Sequence, residues 1–165
     1  MGSPLPTKSA AITLILGLLL LVACQLFRTP TMPSDFLVSL ERGPCFGTCP
    51  AYSLTVAADG SVLFNGQYFV VAEGNHSATL SPAELAELHL AIVAADFLHL
   101  EPRYEVGATD LPSITTTVRM GGELKTVYHY GLGCGTDLDL APQALCEVEA
   151  ILEGIAESNG WVSTE

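Results

Sequence analysis

The chain has 165 residues, and its 18 acidic and 6 basic side chains give a formal net charge of −12 at pH 7. Such an acidic chain argues against nucleic acid as a partner, because Lys and Arg must neutralise the phosphates. The same scarcity of basic residues leaves no polybasic patch for anionic lipid. Any attachment to a membrane must therefore have another origin.

The N-terminal region has the layout of an export signal. Lys8 precedes an uncharged apolar segment over residues 10–23, as in secretory signals. This segment is shorter than the roughly 20 apolar residues that cross a bilayer. Residues 21–24, Leu-Val-Ala-Cys, resemble the lipobox of bacterial lipoproteins. The resemblance implies a signal peptide over residues 1–23 and a lipid on Cys24, with an ordinary signal peptide or a retained anchor as alternatives.

Lipid on Cys24 would make the protein membrane-anchored, since each buried methylene group contributes about 0.8 kcal/mol. In lipoproteins of two-membrane bacteria, aspartate after the lipidated cysteine favours the inner membrane, and Gln25 occupies that position here. The resemblance therefore implies the periplasmic face of the outer membrane in such a bacterium. Residues 24–35 are predicted to form the lipidated cysteine and a flexible tether, because they are rich in proline and small polar residues. Cleavage would leave 142 residues, enough for one domain.

Cysteine usage is consistent with export. Assigning Cys24 to lipid leaves four cysteines, Cys45, Cys49, Cys134 and Cys146, an even number that suits an oxidising compartment. Four cysteines allow three connectivities, which the sequence alone does not decide. We favour Cys45–Cys49 and Cys134–Cys146, because each pair is local and lies in or beside a glycine-rich stretch. Loop closure would then contribute about 2 and about 3 kcal/mol.

Period-two alternation begins at Phe36 and predicts an antiparallel meander of four to five strands. Asp59-Gly60 is a strong hairpin signal within it. The predicted β segments are residues 36–41, 52–57, 61–65, 67–72 and 76–80.

Two helices and a second hairpin complete the predicted elements. Ser81 and Glu84 form a predicted capping box before a helix whose apolar residues recur at helical spacing. Two β-rich segments, residues 114–120 and 124–130, flank a Gly-Gly turn, and a last helix is predicted over residues 140–157. Together these elements predict an α+β fold, with both helices packed on one face of an antiparallel sheet. The predicted domain spans residues 36–158, and residues 159–165 form a C-terminal tail.

Candidate functional side chains are few. The best candidate for a binding site is a cluster of polar side chains on the loop over residues 103–112, since loops often carry binding residues. The cluster consists of Tyr104, Glu105, Thr109 and Asp110. A simple turn at Asp110, before Leu-Pro, is the interpretation we prefer. The histidines are scattered over different elements: His76, His89, His99 and His129. They lack metal-site spacing, even with Asp96 or Glu105, so neither metal nor cofactor is predicted. The glutamates of the last helix fit a solvated face, and His89 fits a half-buried core position.

Residues 42–52, Arg-Gly-Pro-Cys-Phe-Gly-Thr-Cys-Pro-Ala-Tyr, are followed by the Asp-Gly hairpin. This segment resembles the signature of the bacterial domain family DUF6438, and softer similarity extends over residues 36–155. The resemblance implies an exported, often lipid-anchored domain and brings no established activity. Cys134 and Cys146 look like an addition to the usual pattern, which supports their pairing with each other.

We therefore predict a non-catalytic binding or structural module of the bacterial envelope. It would contact an envelope protein or another envelope component through its sheet face or the loop between Cys45 and Cys49. The alternative is a periplasmic enzyme or thiol-redox protein that uses these two cysteines, although redox pairs usually have only two intervening residues.

Overall fold

The computed structural model describes residues 31–131, 134–136 and 140–163, and residues 32–165 belong to one compact unit. The predicted signal peptide and Cys24 lie outside the described residues. Within the described ranges, no helix combines the length and the hydropathy needed to cross a membrane.

Seven strands form one sheet in the order β4-β3-β2-β1-β6-β7-β5. The strands are β1 (Leu37–Gly43), β2 (Ala51–Ala57), β3 (Ser61–Tyr68), β4 (Gly74–Thr79), β5 (Arg103–Glu105), β6 (Ser113–Met120) and β7 (Glu123–Tyr130). Every neighbouring pair is antiparallel except β5 and β7. The predicted α+β class is confirmed, and the sheet is larger than a meander plus one hairpin. In the meander, β3 runs through Gly66, where the sequence suggested a break.

Strand β5 lies within the segment that we predicted to be a loop. It has three residues and pairs in parallel with β7, with Arg103 opposite Tyr128. The Tyr128 amide also donates a hydrogen bond of 3.0 Å to the Pro102 carbonyl. A strand this short has too few residues to show alternation, so its partner rather than its own pattern determines it.

Two helices flank the sheet on one side: α1 (Pro82–Ala94) and α2 (Gln143–Ser158), with a 3-10 turn at Phe97–His99. The predicted capping box is present, since Ser81 N donates to Glu84 Oε2 at 2.7 Å and Glu84 N donates to Ser81 Oγ at 3.3 Å. The apolar stripes of both helices pack against the inward side chains of the strands in a single core. The opposite face of β1, β2 and β6 carries mainly Ser and Thr side chains.

Residues on both sides of the predicted domain contact it. Asp35, assigned to the tether, accepts hydrogen bonds from Gly121 N and Gly122 N at 2.9 and 2.7 Å, and these lower the pKa of its carboxyl. Trp161, assigned to the tail, stacks on Phe64 with ring centroids 4.9 Å apart. One hydrogen-bonding acid and one aromatic ring thus connect these flanking residues to the domain.

Gly66 provides a test of the close packing of the meander. A Cβ added there would overlap the Ala72 carbonyl oxygen and lie 2.8 Å from Val70 Cγ2. We expect Gly66→Ala to lower the free energy of unfolding by about 3 kcal/mol, since overpacking forces the backbone to move. Chemical denaturation measures this loss. Gly107→Ala is the matched control, because no described atom lies within 4 Å of its added Cβ; equal effects of the two variants would contradict the prediction.

His89 predicts a stability change in mild acid. Its ring is buried edge-on against Phe36, with centroids 5.4 Å apart, and burial lowers its pKa. His89 therefore stays neutral in the folded state at pH values where the unfolded chain already binds a proton, just below about pH 6.5. Stability from this group is present above that pH and is lost as the pH falls, by up to about 1.4 kcal/mol per pH unit.

Denaturation midpoints measured from pH 7.5 to pH 5 should therefore fall more steeply for the parent than for His89→Gln. The exposed His99 provides the control variant His99→Gln, which should follow the parent. A parent-like slope in His89→Gln would contradict the assignment.

Candidate functional site

A pocket of about 320 Å³ lies where the ends of β1 and β7 meet the starts of β2 and β6, beside α2. These strand ends lie at the same end of the sheet because neighbouring strands run antiparallel. The loop from Cys45 to Cys49, called the cysteine loop below, contributes Thr48 to its wall. Its charged and polar side chains include Arg42, Tyr52, His129, Glu149, Glu153 and Glu157. Since polar groups converge here in a concave site, it is the candidate binding site.

A buried histidine–carboxylate pair forms the floor of the site. His129 Nδ1 lies 2.8 Å from Glu149 Oε2, and the two side chains are only 4% and 1% exposed. His129 lies on the strand face opposite Tyr128 and Tyr130, which is the face that the helices cover. Ionisable side chains this deeply buried are rare unless they are paired. The burial of each side chain therefore depends on its contact with the other.

The pocket side of α2 carries acidic residues at helical spacing. Glu149, Glu153 and Glu157 follow one another at four-residue intervals and all line the pocket, as expected for one helix face. Glu153 accepts a hydrogen bond from Arg42 Nη1, across the junction of β1 and α2. The buried Arg42 Nε has no hydrogen-bond partner among the described residues. The site therefore holds the Arg42–Glu153 ion pair, the hydrogen-bonded His129–Glu149 pair and one further carboxylate.

Tyr52 forms part of the apolar wall. Its side chain is buried and packs on Phe64, with ring centroids 5.2 Å apart. Burial raises the pKa of Tyr52 to about 12. The phenol is therefore protonated at physiological pH and presents a neutral O–H group.

Both predicted disulfides are present, Cys45–Cys49 and Cys134–Cys146. Cys134 and Cys146 line the pocket directly, and Cys134 Sγ lies 3.8 Å from Glu149 Oε2. One disulfide thus lines the pocket, and the other closes the loop that contributes Thr48 to its wall.

The predicted polar loop cluster is divided between two places, neither of which lines the pocket. Tyr104 and Glu105 belong to β5, where Tyr104 is half-buried and its hydroxyl accepts a hydrogen bond from Glu101 N. Thr109 donates to Asp110, which has a φ of 67°. The Asp110 carbonyl accepts a hydrogen bond from Phe46 N at 3.1 Å. Asp110 therefore forms a turn that supports the cysteine loop.

Two exposed aromatic side chains, one on the pocket wall and one on the neighbouring cysteine loop, form what we call the rim. Phe46, at the cysteine loop, is 89% exposed, and Phe69, which lines the pocket, is 59% exposed. Phe69 has a φ of 54°, a left-handed conformation that costs a bulky residue about 1–3 kcal/mol. The following residues Val71 and Ala72 donate backbone hydrogen bonds to the Trp161 carbonyl. These bonds hold the segment that presents Phe69 to the pocket.

The arrangement has definite chemical capacities. The His129–Glu149 pair can hold a proton at Nδ1 and orient the ring, as carboxylates do for catalytic and metal-binding histidines. The pocket cysteines are oxidised to a disulfide, so they present no thiol nucleophile in this state. The remaining polar groups suit hydrogen bonding and charge recognition.

Sequence reasoning missed Glu149, Glu153 and Arg42 as site residues. We assigned the glutamates to a solvated face, and Glu149 is instead buried while Glu153 is half-buried. A signal was available, because Glu149 directly follows Val148 in the buried stripe and the four-residue spacing continues to Glu153. The sequence does not reveal what packs against this face of the helix. The four-residue spacing of the glutamates could therefore equally indicate a solvent-exposed face.

Comparison with known proteins identifies a family for this chain. A family model described as a domain of unknown function, DUF6438, matches residues 36–156. A search of curated proteins finds no match. The matched region is well over half of the 165-residue chain, and it contains both disulfides and the buried His129–Glu149 pair. The chain therefore belongs to the DUF6438 family.

Proposed function

We propose that this protein is a non-catalytic binding module anchored by lipid in the bacterial envelope. Its site is the pocket between the cysteine loop and α2, and its partner is a basic segment of an envelope protein. The observation that carries the proposal is the pocket itself, a concave site with paired charges inside and exposed aromatic side chains at its rim.

Charge supports a basic partner. Arg42 offsets Glu153, and His129 offsets Glu149 when its ring is protonated, which leaves Glu157 as an additional carboxylate in the wall. The whole chain carries a formal charge of −12. A field of this sign raises the local concentration of cationic segments and increases their association rate.

The rim supports a peptide or protein as the partner. Exposed aromatic residues dominate the energetics of many interfaces, and Phe46 and Phe69 lie on the cysteine loop and the pocket wall. The left-handed φ of Phe69 fits this role, since backbone strain is concentrated at functional sites.

Site-specific photo-crosslinking in cells tests the site. A photoreactive residue at Phe46 or Phe69 should give discrete adducts with an envelope protein. The same residue at Thr126, on the opposite sheet face, is the matched control and should give none. Glu157→Lys should decrease the Phe69 adduct several-fold, because it reverses the charge of a wall residue. Adducts from Thr126 alone would contradict the pocket and favour the sheet face.

Lipid anchoring is tested separately. A Cys24→Ser variant should lose metabolic labelling with a fatty acid and accumulate as uncleaved precursor. Unchanged processing and membrane partitioning of that variant would refute the anchor, whatever the crosslinking shows.

A further inference from the structure

One corner of the pocket brings together the atom types of a transition-metal site. His129 Nδ1, Cys134 Sγ and a Glu149 carboxylate oxygen all lie within 4.8 Å of one another. The second sulfur, from Cys146, is bonded to Cys134. We infer that this corner is a zinc site that forms when the Cys134–Cys146 disulfide is reduced, with four ligands: His129, Glu149 and the two cysteine thiolates.

The observed distances are close to those that a tetrahedral zinc ion requires. Zinc binds nitrogen and oxygen at about 2.0 Å and sulfur at about 2.3 Å, so nitrogen and oxygen ligands lie about 3.3 Å apart and sulfur and oxygen ligands about 3.5 Å apart. Here His129 Nδ1 and Glu149 Oε2 are 2.8 Å apart, and Cys134 Sγ and Glu149 Oε2 are 3.8 Å apart. Small side-chain movements would therefore bring these three atoms to ligand positions.

The helix supplies the fourth ligand from the correct side. Cys146 and Glu149 are three residues apart on α2 and share one face; Cys146 is 5% exposed and Glu149 is 1% exposed. Once the sulfur–sulfur bond opens, the two thiolates must separate to about 3.7 Å to bind one zinc ion. Both sulfurs already border the pocket, where there is space for this separation.

Reduction requires a dithiol reductant, which we assign to the class of thiol–disulfide oxidoreductases. A reductant thiolate attacks Cys134 Sγ, since Cys134 is the more exposed residue, and the Cys146 thiolate leaves. The second reductant thiol then displaces Cys134, so the reductant becomes a disulfide and this protein gains two electrons and two protons. Zinc binding releases those two thiol protons. Any proton on His129 Nδ1 moves to Nε2 or to solvent.

The inference is independent of the proposed partner, and it differs from a redox role for Cys45 and Cys49. The cysteine loop has no described histidine or carboxylate in a comparable cluster. The two disulfides therefore differ in function, with one closing a loop and the other controlling access to a metal site.

Metal titration of the purified full-length chain in detergent tests the inference. Cobalt(II) is the probe, because tetrahedral thiolate coordination gives diagnostic absorption, and zinc should displace it. After reduction with a non-chelating phosphine, we expect one cobalt ion per chain with sulfur-to-metal charge-transfer bands. The oxidised protein should bind at least about 100-fold more weakly, because both thiolates are absent.

Matched variants identify the ligands. A Cys45→Ser/Cys49→Ser protein should keep the reduced-state site, whereas Cys134→Ser/Cys146→Ser should lose it. Glu149→Gln retains the shape and most of the hydrogen bonding of the side chain, and it should weaken binding at least 10-fold with an unchanged circular dichroism spectrum. Equal affinity in the oxidised and reduced proteins, binding lost only with Cys45 and Cys49, or no stoichiometric binding would each overturn the inference.

Discussion

Replacing Glu149 with leucine should lower the free energy of unfolding by about 3–5 kcal/mol, the usual cost of removing one partner from a buried charged pair. The carboxylate is 1% exposed and lies 2.8 Å from His129 Nδ1. Leucine would fill a similar volume, so the loss comes from the desolvated imidazole rather than from a cavity. Urea or guanidinium denaturation at pH 7 measures it.

Two further variants separate this pair from simple packing. Glu149→Gln keeps a hydrogen-bond acceptor next to His129 and should cost clearly less than Glu149→Leu. The double variant His129→Leu/Glu149→Leu should recover much of the loss, because neither of these two buried polar side chains is then left without the other. If the double variant were as unstable as the sum of the two single variants, the coupling between the two side chains would be absent.

Replacing Trp161 with alanine should lower the free energy of unfolding by about 3–5 kcal/mol, as for other large buried aromatic residues. The ring is 7% exposed and stacks on Phe64 at 4.9 Å. Its backbone carbonyl also accepts hydrogen bonds from Val71 N and Ala72 N. Truncation after Ser158 removes all of these contacts and should destabilise the protein at least as much.

Trp161→Phe is the matched control, since it preserves a ring against Phe64 and should lose less than half as much stability. The backbone hydrogen bonds remain in both substitutions, so their comparison isolates the ring. A Trp161→Ala protein within about 1 kcal/mol of the parent would show that the segment after α2 is peripheral. That result would return the domain boundary to residue 158.

Local patterns in the sequence predicted most of the architecture. Alternation and the Asp59-Gly60 turn located the hairpins, and the Ser81 capping box fixed the start of α1. Both disulfides followed from the expectation of export and from short sequence separation. These features depend on neighbours within a few residues, which is the range at which periodicity and turn chemistry act.

The candidate site could not be predicted in the same way, because its contacts connect distant parts of the chain. Arg42 meets Glu153 across 111 residues, and His129 meets Glu149 across an intervening loop. Glutamates on a helix are normally solvated, so only knowledge of which strand ends face α2 distinguishes Glu149 from Glu147. Strand β5 was missed for a similar reason, since only its pairing with β7 defines it.

The bonds from Gly121 and Gly122 to Asp35 fix where the chain enters the domain. Asp35 precedes β1, whereas the pocket lies at the far end of that strand, beyond Arg42. The seven residues of β1 extend over roughly 20 Å. The entry point of the chain and the pocket therefore lie at opposite ends of β1. A partner seated in the pocket would leave the Asp35 anchorage uncovered, so binding and chain entry use separate surfaces of the domain.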